Sequence, residues 1–408
     1  MTIKDVLKRV LERIKLDEEE LKILEIKARE FCENIEEKLK KRKIKADVFI
    51  GGSLAKDTIM RKDSYDVDIF VRFDEKYKDD EISNLLEKCL EKITRIHGSR
   101  DYFQLKSSNV VFEIIPVIKI SSPNKARNVT DLSFFHVSYV KNCIKKNKKL
   151  ADEILLGKAF CYANNSYGAE SYIKGFSGYA LELLICYYKS FENFIKNIVK
   201  SKDKIIIDPE KFYKNKQDIL DSLNEAKLSS PIVFVDPTNK NRNALAALSA
   251  ATFSSFRNIA GKFIKKPSAS YFEKKKINSS KFNLIIEART NKQEGDIAGS
   301  KLLKFSSLIY RELEKYFFVL AKEFEYSGKK TGKYYFKIKP RKELVFAGPP
   351  INKIEALVAF KNKHKKVFIK KGKAYAEEKI NLSPEKFLRN FSENNKKIIK
   401  SMGIIRID

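Results

Sequence analysis

The sequence predicts an α+β fold in which a mixed sheet with helices is followed by a helical middle and a second α+β part. Two observations predict it. Strand-like runs rich in β-branched and aromatic residues occupy residues 46–50, 67–73 and 110–120, with helical sequence between the second and the third. Apolar residues recur at three- and four-residue spacing before these runs and again from about residue 133.

The N-terminal segment, residues 4–43, predicts helices that form a scaffold for the sheet. Its apolar residues recur at helical spacing between charged positions, as in Leu21, Leu24, Ala28, Phe31, Ile35 and Leu39. Because such a stripe lies on one face of a helix, we expect that face to be buried.

The middle and the end of the chain differ in pattern. Residues 133–200 predict helices, with an apolar stripe at Leu181, Leu184, Ile185 and Tyr188. Residues 231–237 predict a short buried strand closed by a turn, and residues 244–264 predict a helix. After Lys266-Pro267 the composition shifts to strands and lysine clusters, as in residues 282–288, 333–339 and 365–373. We therefore predict three domains, spanning residues 1–132, 133–265 and 266–408.

Composition indicates a folded protein with an acidic partner. A chain of 408 residues, 43% of them hydrophobic, can bury a sizeable core, which excludes a disordered chain. Lysine plus arginine number 83 against 53 acidic residues, a net charge of +30, and nucleic acid is the commonest partner for such an excess. The alternative is a lysine-biased composition, because the chain is also rich in Ile and Asn.

The cysteines and the hydropathy pattern indicate a soluble, cytoplasmic protein. The five cysteines are far apart, without a C-x-x-C pair, so we expect reduced and mostly buried thiols. No apolar run in the sequence approaches the roughly 20 residues of a membrane helix. The N-terminus runs directly into charged helical sequence.

A glycine-serine turn and a pair of aspartates carry the chemistry. Gly51-Gly52-Ser53 follows the first predicted strand, and Asp66 and Asp68 lie in the second. Side chains alternate across a strand, so both carboxylates face the same side, where like charges need a divalent cation such as Mg²⁺. The glycines allow a tight turn, and Ser53 is expected to cap a helix at Leu54 whose backbone N–H groups suit a phosphate.

A third acid, Glu113, is embedded in the apolar run of the third predicted strand. A buried acid needs a partner, which a metal pair would supply. Two metals held by three carboxylates can activate an attacking hydroxyl and stabilise a leaving pyrophosphate. Gly-Ser before a helix is ordinarily routine capping, and a lone D-x-D is ordinarily a solvated strand face. Their combination with a third acid favours catalysis.

These motifs resemble the nucleotidyltransferase superfamily that shares the polymerase β palm, and within it the archaeal, class I CCA-adding enzymes. The resemblance extends over roughly residues 45 to 275 and is looser beyond. The matching segments are residues 130–136 (TDLSFFH), 158–160 (KAF), 166–170 (SYGAE), 175–179 (GFSGY) and 235–243, from Val235-Asp236-Pro237 to Arg242-Asn243.

The resemblance implies a head, a neck, a body and a tail, and a two-metal enzyme using Mg²⁺. Its implied reaction adds C, C and A to the 3′ end of tRNA from CTP and ATP, without a nucleic-acid template. The implied metal ligands are Asp66, Asp68 and Glu113, although the family usually has aspartate at the position of Glu113. The implied nucleotide-binding residues are Gly52, Ser53, His136, Lys158, Tyr167 and Arg242, the last of which would read the base edge.

Taken alone, several of these residues have a structural interpretation. His136 would ordinarily be a partly buried structural histidine and Lys158 a solvated helical lysine. Tyr167 would be a loop anchor and Arg242 part of a surface turn. In the C-terminal part, lysines alternate with aromatic or apolar residues at 333–337 and 366–370. That pattern predicts a tRNA backbone surface, strands with a charged outer face, or both.

Two alternatives remain open for function. One is a poly(A) or oligoadenylate polymerase of the same superfamily, and the other is a catalytically inactive tRNA-binding protein that keeps the fold. The sequence also leaves open whether one chain adds all three nucleotides and whether the protein forms a homodimer.

Overall fold

The computed structural model describes residues 2–408, and the chain divides after Lys275. One unit ends at Lys275 and the other spans Lys276–Asp408. The three-domain division drawn at residues 132 and 265 stays a prediction.

A five-stranded mixed sheet in the first unit carries the two aspartates. Its strands, in the order β1-β2-β5-β4-β3 across the sheet, are β1 (Ala46–Ile50), β2 (Tyr65–Phe73), β3 (Thr94–Ile96), β4 (Tyr102–Ser107) and β5 (Val110–Ile118). β2 pairs antiparallel with β1 and parallel with β5. The three strands predicted at residues 46–50, 67–73 and 110–120 are therefore confirmed to within two residues.

The segment between β2 and β5 differs from the prediction. It was expected to be helical, but besides the short helix α3 (Ile82–Glu87) it contains the antiparallel pair β3 and β4. β3 has only three residues, and β4 mixes a buried Phe103 with the polar Gln104 and Lys106. Such short, partly polar strands give little periodic signal, which explains why they were missed.

The two N-terminal helices, α1 (Ile3–Ile14) and α2 (Glu18–Lys41), pack into different cores. α2 buries Leu24, Ala28, Ile35 and Leu39 in the core of the five-stranded sheet, as its stripe predicted. α1 begins with a capping box formed by Thr2 and Asp5 and packs instead into the core of the helices that follow the sheet.

Those helices form the largest apolar core of the first unit. They are α4 (Ser133–Lys146), α5 (Lys149–Ala163), α6 (Gly178–Tyr188), α7 (Phe191–Lys200) and α10 (Ala250–Lys265). Two short helices, α8 (Lys216–Ser222) and α9 (Glu225–Leu228), pack in a smaller separate core. A small sheet combines β6 (Ile205–Ile207), the fully buried β7 (Ile232–Asp236) and β8 (Asn239–Asn243). The buried strand predicted at 231–237 is confirmed, whereas the helix predicted from 244 begins six residues later, because residues 244–247 form turns.

The second unit is a separate α+β body. Its four-stranded sheet, in the order β10-β11-β9-β15, comprises β9 (Leu284–Thr290), β10 (Phe317–Tyr326), β11 (Thr331–Pro340) and β15 (Ile404–Ile407). A three-stranded sheet, in the order β12-β14-β13, comprises β12 (Glu343–Pro350), β13 (Val367–Lys370) and β14 (Lys373–Lys379). The helices are α11 (Asp296–Tyr316), α12 (Ile354–Lys363), α13 (Pro384–Asn394) and α14 (Lys396–Ser401).

The lysine-aromatic alternation at residues 333–337 places its aromatic rings inside. Tyr334 and Phe336 are buried in the core of the second unit, and the Tyr334 hydroxyl donates to the carbonyl of Leu302 at 3.0 Å. Lys333 and Lys337 are exposed. The strand therefore has a charged outer face, and its rings are not free to stack on nucleobases.

Two further sequence expectations concern thiols and membranes. The five cysteines are free thiols, three of them buried, as expected. Among residues 2–408, no helix has both the length and the apolarity that crossing a bilayer requires.

Candidate active site

Three carboxylates lie on one face of the five-stranded sheet. Asp66 and Asp68 alternate with the buried Val67 and Ile69 along β2, so both face away from the core. The parallel register places Glu113 of β5 beside Asp68. The structure therefore brings the three predicted carboxylates to the same face.

Burial and neighbouring carboxylates make ionisation of both Asp68 and Glu113 harder. Burial raises the pKa of Asp68 to about 6, with Lys56 opposing the rise and Asp66 adding to it. Burial also raises the pKa of Glu113 to about 7; the charge of Asp68 adds to this, and the hydrogen bond from Gln104 opposes it. The Gln104 amide donates to Glu113 Oε1 at 2.7 Å. A cation beside these groups would relieve the repulsion.

The donor set fits a divalent cation of the Mg²⁺ type, which prefers carboxylate oxygens. Within residues 2–408, no three His, Cys, Asp or Glu side chains are gathered closely enough to hold a metal by themselves. The three carboxylates could therefore supply only part of a coordination shell, and in Mg²⁺ sites water and substrate phosphates complete it.

The turn after β1 brings the backbone of Gly51 and Gly52 into contact with Asp68. The N–H of Gly51 donates to the carbonyl of Asp68 at 2.8 Å. Gly52 has φ +56°, and a Cβ there would lie 1.6 Å from Asp68 Oδ2. No side chain fits at this position, so glycine is required both by conformation and by space.

Ser53 does not cap a helix, contrary to the prediction. The segment after it is a single 3₁₀ turn, Leu54–Lys56, and the Ser53 side chain makes no capping hydrogen bond. The chain bends back at once, because the N–H of Thr58 donates to the Ser53 carbonyl at 3.0 Å. The Ser53 hydroxyl is therefore left without a capping role, beside the aspartates.

Behind the turn, two lysines share one buried glutamate. Lys56 Nζ lies 2.6 Å from Glu182 Oε2, and Lys158 Nζ lies 2.9 Å from Glu182 Oε1. Lys158 also donates to the Thr58 hydroxyl and carbonyl, at 2.9 and 3.2 Å. Burial alone would raise the pKa of Glu182, but the two lysines outweigh it and hold that pKa below its usual range. Lys158 is therefore a buried member of this cluster and not the solvated helical lysine that its sequence alone suggests.

A second cluster surrounds Asp236 at the end of β7. Asp236 accepts from Tyr179 Oη at 3.1 Å and forms an ion pair with Arg242. The His136 ring stacks on Tyr179 with centroids 4.0 Å apart, and its Nε2 lies 3.3 Å from Asp236 Oδ2 without making a hydrogen bond. Burial lowers the pKa of His136, although Asp236 opposes this, so the neutral ring is favoured.

A cleft of about 280 Å³ joins most of these groups. Its lining includes Gly52, Ser53, Lys56, Asp66, Asp68, Lys158, Tyr167, Tyr179 and Glu182. Among the described residues, Glu113, His136 and Arg242 are not part of that lining, although Tyr179 connects the cleft to His136. The structure thus brings six of the nine predicted site residues to one cleft.

Comparisons with known proteins agree with this geometry. A family model described as "Nucleotidyltransferase domain" matches residues 32–131, and one described as "tRNA nucleotidyltransferase, second domain" matches residues 152–273. The CCA-adding enzyme of Methanocaldococcus jannaschii is 30% identical over 399 residues, covering 92% of this chain and 87% of that protein. The chain belongs to the CCA-adding enzyme family. The Nanoarchaeum equitans member is 40% identical over 275 residues, 66% of this chain and 67% of that protein.

Solved structures show the same fold in more distant proteins. The Cid1 poly(U) polymerase has a TM-score of 0.52 at 14% identity, covering 66% of this chain and 98% of that one. A cytoplasmic RNA terminal U-transferase has a TM-score of 0.52 at 15% identity, with 67% and 98% covered. The first unit therefore has the polymerase β-like nucleotidyltransferase fold. Membership of the CCA-adding enzyme family makes this chain an enzyme.

Sequence reasoning missed four residues of the site, namely Lys56, Tyr179, Glu182 and Asp236. Glu182 could have been found, because it is an acid in the middle of the apolar run Ala180–Ile185, the same signal that singled out Glu113. Lys56 and Asp236 carry no comparable signal, since their burial depends on contacts between distant segments.

Proposed function

We propose that this chain adds C, C and A to the 3′ end of tRNA from CTP and ATP, without a nucleic-acid template. The observation that carries the proposal is the shared face of Asp66, Asp68 and Glu113 beside a cleft whose lining includes Lys56 and Lys158. Membership of the family over most of the chain's length supports the choice of tRNA as the substrate.

In the proposed reaction, the 3′-terminal hydroxyl of tRNA attacks the α-phosphorus of the nucleotide. A new P–O bond forms, the α–β phosphoanhydride bond breaks, and pyrophosphate leaves. Asp66, Asp68 and Glu113 would hold two divalent cations, for which we propose Mg²⁺. When bound, these ions supply positive charge beside the attacking and leaving oxygens. Gln104 holds Glu113, whose longer side chain has one more rotatable bond than aspartate.

The triphosphate is proposed to lie along the cleft. Gly52 brings the backbone close to Asp68, the Ser53 hydroxyl is available to donate to a phosphate, and Lys56 and Lys158 provide positive charge. Tyr167 lines the same cleft and is proposed to contact the nucleotide's sugar or phosphates.

Base recognition is proposed for the cluster at Asp236. Arg242 keeps five N–H donors in a planar fork, and its pairing with Asp236 fixes the direction of that fork. The neutral His136 ring stacks on Tyr179, and the Arg242 guanidinium lies over the ring of the same tyrosine. Donors held in this way can distinguish the hydrogen-bonding edges of nucleobases.

The remaining assignments follow from the substrate. An enzyme that completes tRNA is proposed to act in the cytoplasm, where tRNA is used. The homodimer remains a prediction, which sedimentation of the purified chain tests.

The deciding experiment adds labelled CTP and ATP, singly and together with Mg²⁺, to tRNA transcripts that end before C, CC or CCA. Stepwise extension that stops at CCA is the expected result. Long A tracts would identify a poly(A) polymerase, and extension of only one intermediate a partial-adding enzyme. Tight tRNA binding without extension by any nucleotide would identify an inactive binding protein.

A further inference from the structure

Glu182 is the most enclosed charged residue of the cleft. It is 1% exposed, against 3% for Lys158 and 7% for Lys56. It lies on α6 between the fully buried Leu181 and Leu183, so its side chain leaves an apolar helix to reach the two lysines. Burying a carboxylate at this position is costly unless its oxygens are paired.

The two oxygens of Glu182 are divided between the two lysines. Oε2 contacts Lys56 at 2.6 Å, and Oε1 contacts Lys158 at 2.9 Å. The Thr58 hydroxyl donates to Oε1 at 3.3 Å. A carboxylate that spans two ammonium groups fixes the distance between them, which neither lysine could do through its own flexible chain.

The two lysines have different hydrogen-bonding capacity left. An ammonium group has three N–H donors. Lys158 directs its donors to Glu182, the Thr58 hydroxyl and the Thr58 carbonyl, so its donors are all used. Within residues 2–408, Lys56 Nζ has Glu182 as its hydrogen-bond partner, which leaves donors for a ligand in the cleft. Lys56 is the member of the pair that can donate to a phosphate without breaking a contact.

The charges of the cluster also suit an anion. Two buried ammonium groups without a counter-charge repel each other, and burial favours loss of a proton from one of them. Burial lowers the pKa of Lys158, and Glu182, which lies between the two ammonium groups at the wall of the cleft, opposes that loss of charge. The cluster is tied to the Ser53 turn, because Thr58 also contacts the Ser53 carbonyl through its N–H at 3.0 Å.

We propose that Glu182 is a positioning residue for the triphosphate. It holds Lys56 in place beside the turn formed by residues 53–58. Its contacts with Lys158 and Thr58 fix the position of Glu182 itself. The inference rests on the proposed function, since it assumes that a nucleoside triphosphate occupies this cleft. Glu182 itself touches no substrate in this role and acts through Lys56.

The test uses two variants of the full chain and a matched control. Glu182→Gln removes the charge, and Glu182→Asp keeps the charge but is one methylene too short to span both lysines. Glu153→Gln is the control, because Glu153 is a half-buried acid of the first unit that accepts from the N–H of Phe191 at 2.8 Å. Calorimetry with CTP and with inorganic tripolyphosphate measures binding, and thermal unfolding measures stability.

Both Glu182 variants are expected to weaken CTP and tripolyphosphate binding about tenfold and to raise KM for CTP and ATP in parallel. KM for tRNA and the kcat should change much less. Glu153→Gln should lower thermal stability and leave nucleotide binding unchanged. If Glu182→Gln does not fold, Glu182→Asp decides, because it keeps a negative charge in the cluster but is too short to contact both lysines.

Wild-type affinity for tripolyphosphate in Glu182→Asp, or a loss of stability alone as in the control, would overturn the inference. A wild-type chain that binds CTP but does not extend tRNA would contradict the proposed function and leave the comparison of Glu182 variants valid. A wild-type chain that binds neither CTP nor tripolyphosphate would overturn both.

Discussion

At the scale of single residues, Gly52 is the position where both backbone conformation and the nearby Asp68 carboxylate require glycine. Its φ of +56° is in the left-handed region, and the space where a Cβ would lie is taken by Asp68. Gly52→Ala should therefore cost about 1–2 kcal/mol in backbone strain and also push Asp68 out of place. Nucleotide addition should fall at least tenfold, measured by labelled CTP incorporation.

Gly328 offers the matched control for that substitution. It also has a positive φ, +85°, but a Cβ there would meet nothing within 4 Å. Gly328→Ala should show the strain in thermal unfolding without a change in KM for CTP. Equal loss of activity in both variants would mean that conformation alone, and not the approach to Asp68, explains the glycine at position 52.

The two aspartates give the sharpest prediction at this scale. Asp66→Asn and Asp68→Asn keep side-chain size but remove the negative charge that would hold a cation. Each should lower nucleotide addition at least about a hundredfold and leave tRNA binding nearly unchanged. Asp63→Asn, at an exposed position just before β2, is the control and should be active. Normal activity in either strand variant would refute the metal assignment.

The sequence indicated the carboxylates well and their surroundings poorly. Asp66 and Asp68 could be placed on one face because alternation along a strand is a local property. Glu113 needed only an acid within an apolar run. The capping role predicted for Ser53 was wrong, because tertiary contacts of Thr58 and Lys158 bend the chain into a 3₁₀ turn before a helix can form. Lys56 carries no local signal of its burial.

At the scale of secondary-structure elements, the strands were predictable and their order was not. Runs of β-branched residues located β1, β2 and β5, but the neighbours of β2 follow from pairing between segments about 45 residues apart. The parallel pairing of β2 with β5 is the feature that puts Glu113 beside Asp68. A helix-rich interpretation of residues 74–109 hid β4, and with it Gln104, which holds Glu113.

Elements meet again at Asp236, where β7 contacts residues from α4, α6 and β8. Asp236→Asn keeps the side-chain size but removes the charge paired with Arg242, whose fork then loses its fixed direction. We expect addition of UTP or GTP to rise about tenfold relative to CTP and ATP. The measurement is competition between the four nucleotides on a tRNA ending in C.

The same charge also contributes to stability. Burial would raise the pKa of Asp236, but His136, Arg242 and the N–H of Thr238 hold it well below its usual range. Asp236→Asn should therefore lower thermal stability as well. Asp221→Asn, which alters an exposed acid on α8, is the control. Unchanged nucleotide selection in a folded Asp236→Asn protein would exclude this cluster from base recognition.

At the scale of the whole molecule, the main feature is the excess of positive charge, which the phosphates of a bound tRNA would neutralise. The net charge is +30. The buried ion pairs of Glu182 and Asp236 involve only a few of the charged residues. In the second unit Tyr334 and Phe336 are buried in the core, whereas Phe318, Phe346 and Phe368 are exposed. Because exposed lysines greatly outnumber these rings, recognition there should depend on phosphate contacts more than on base stacking.

This leads to a prediction for tRNA binding. Each phosphate contact should contribute about 0.7 to 0.9 to the decrease of log K with log salt concentration, so binding should weaken steeply between low and physiological salt. Replacing the exposed Lys366 and Lys370 with Ala should reduce that slope by about one to two. Replacing the exposed Lys22 and Lys27 of α2 is the matched control, with the same loss of net charge. Filter binding across a salt series measures both.

Two results would contradict this prediction. A flat salt response in the wild-type chain would mean that its charge reflects composition. An equal change in both double variants would mean that tRNA binding responds to net charge and not to the surface of the second unit.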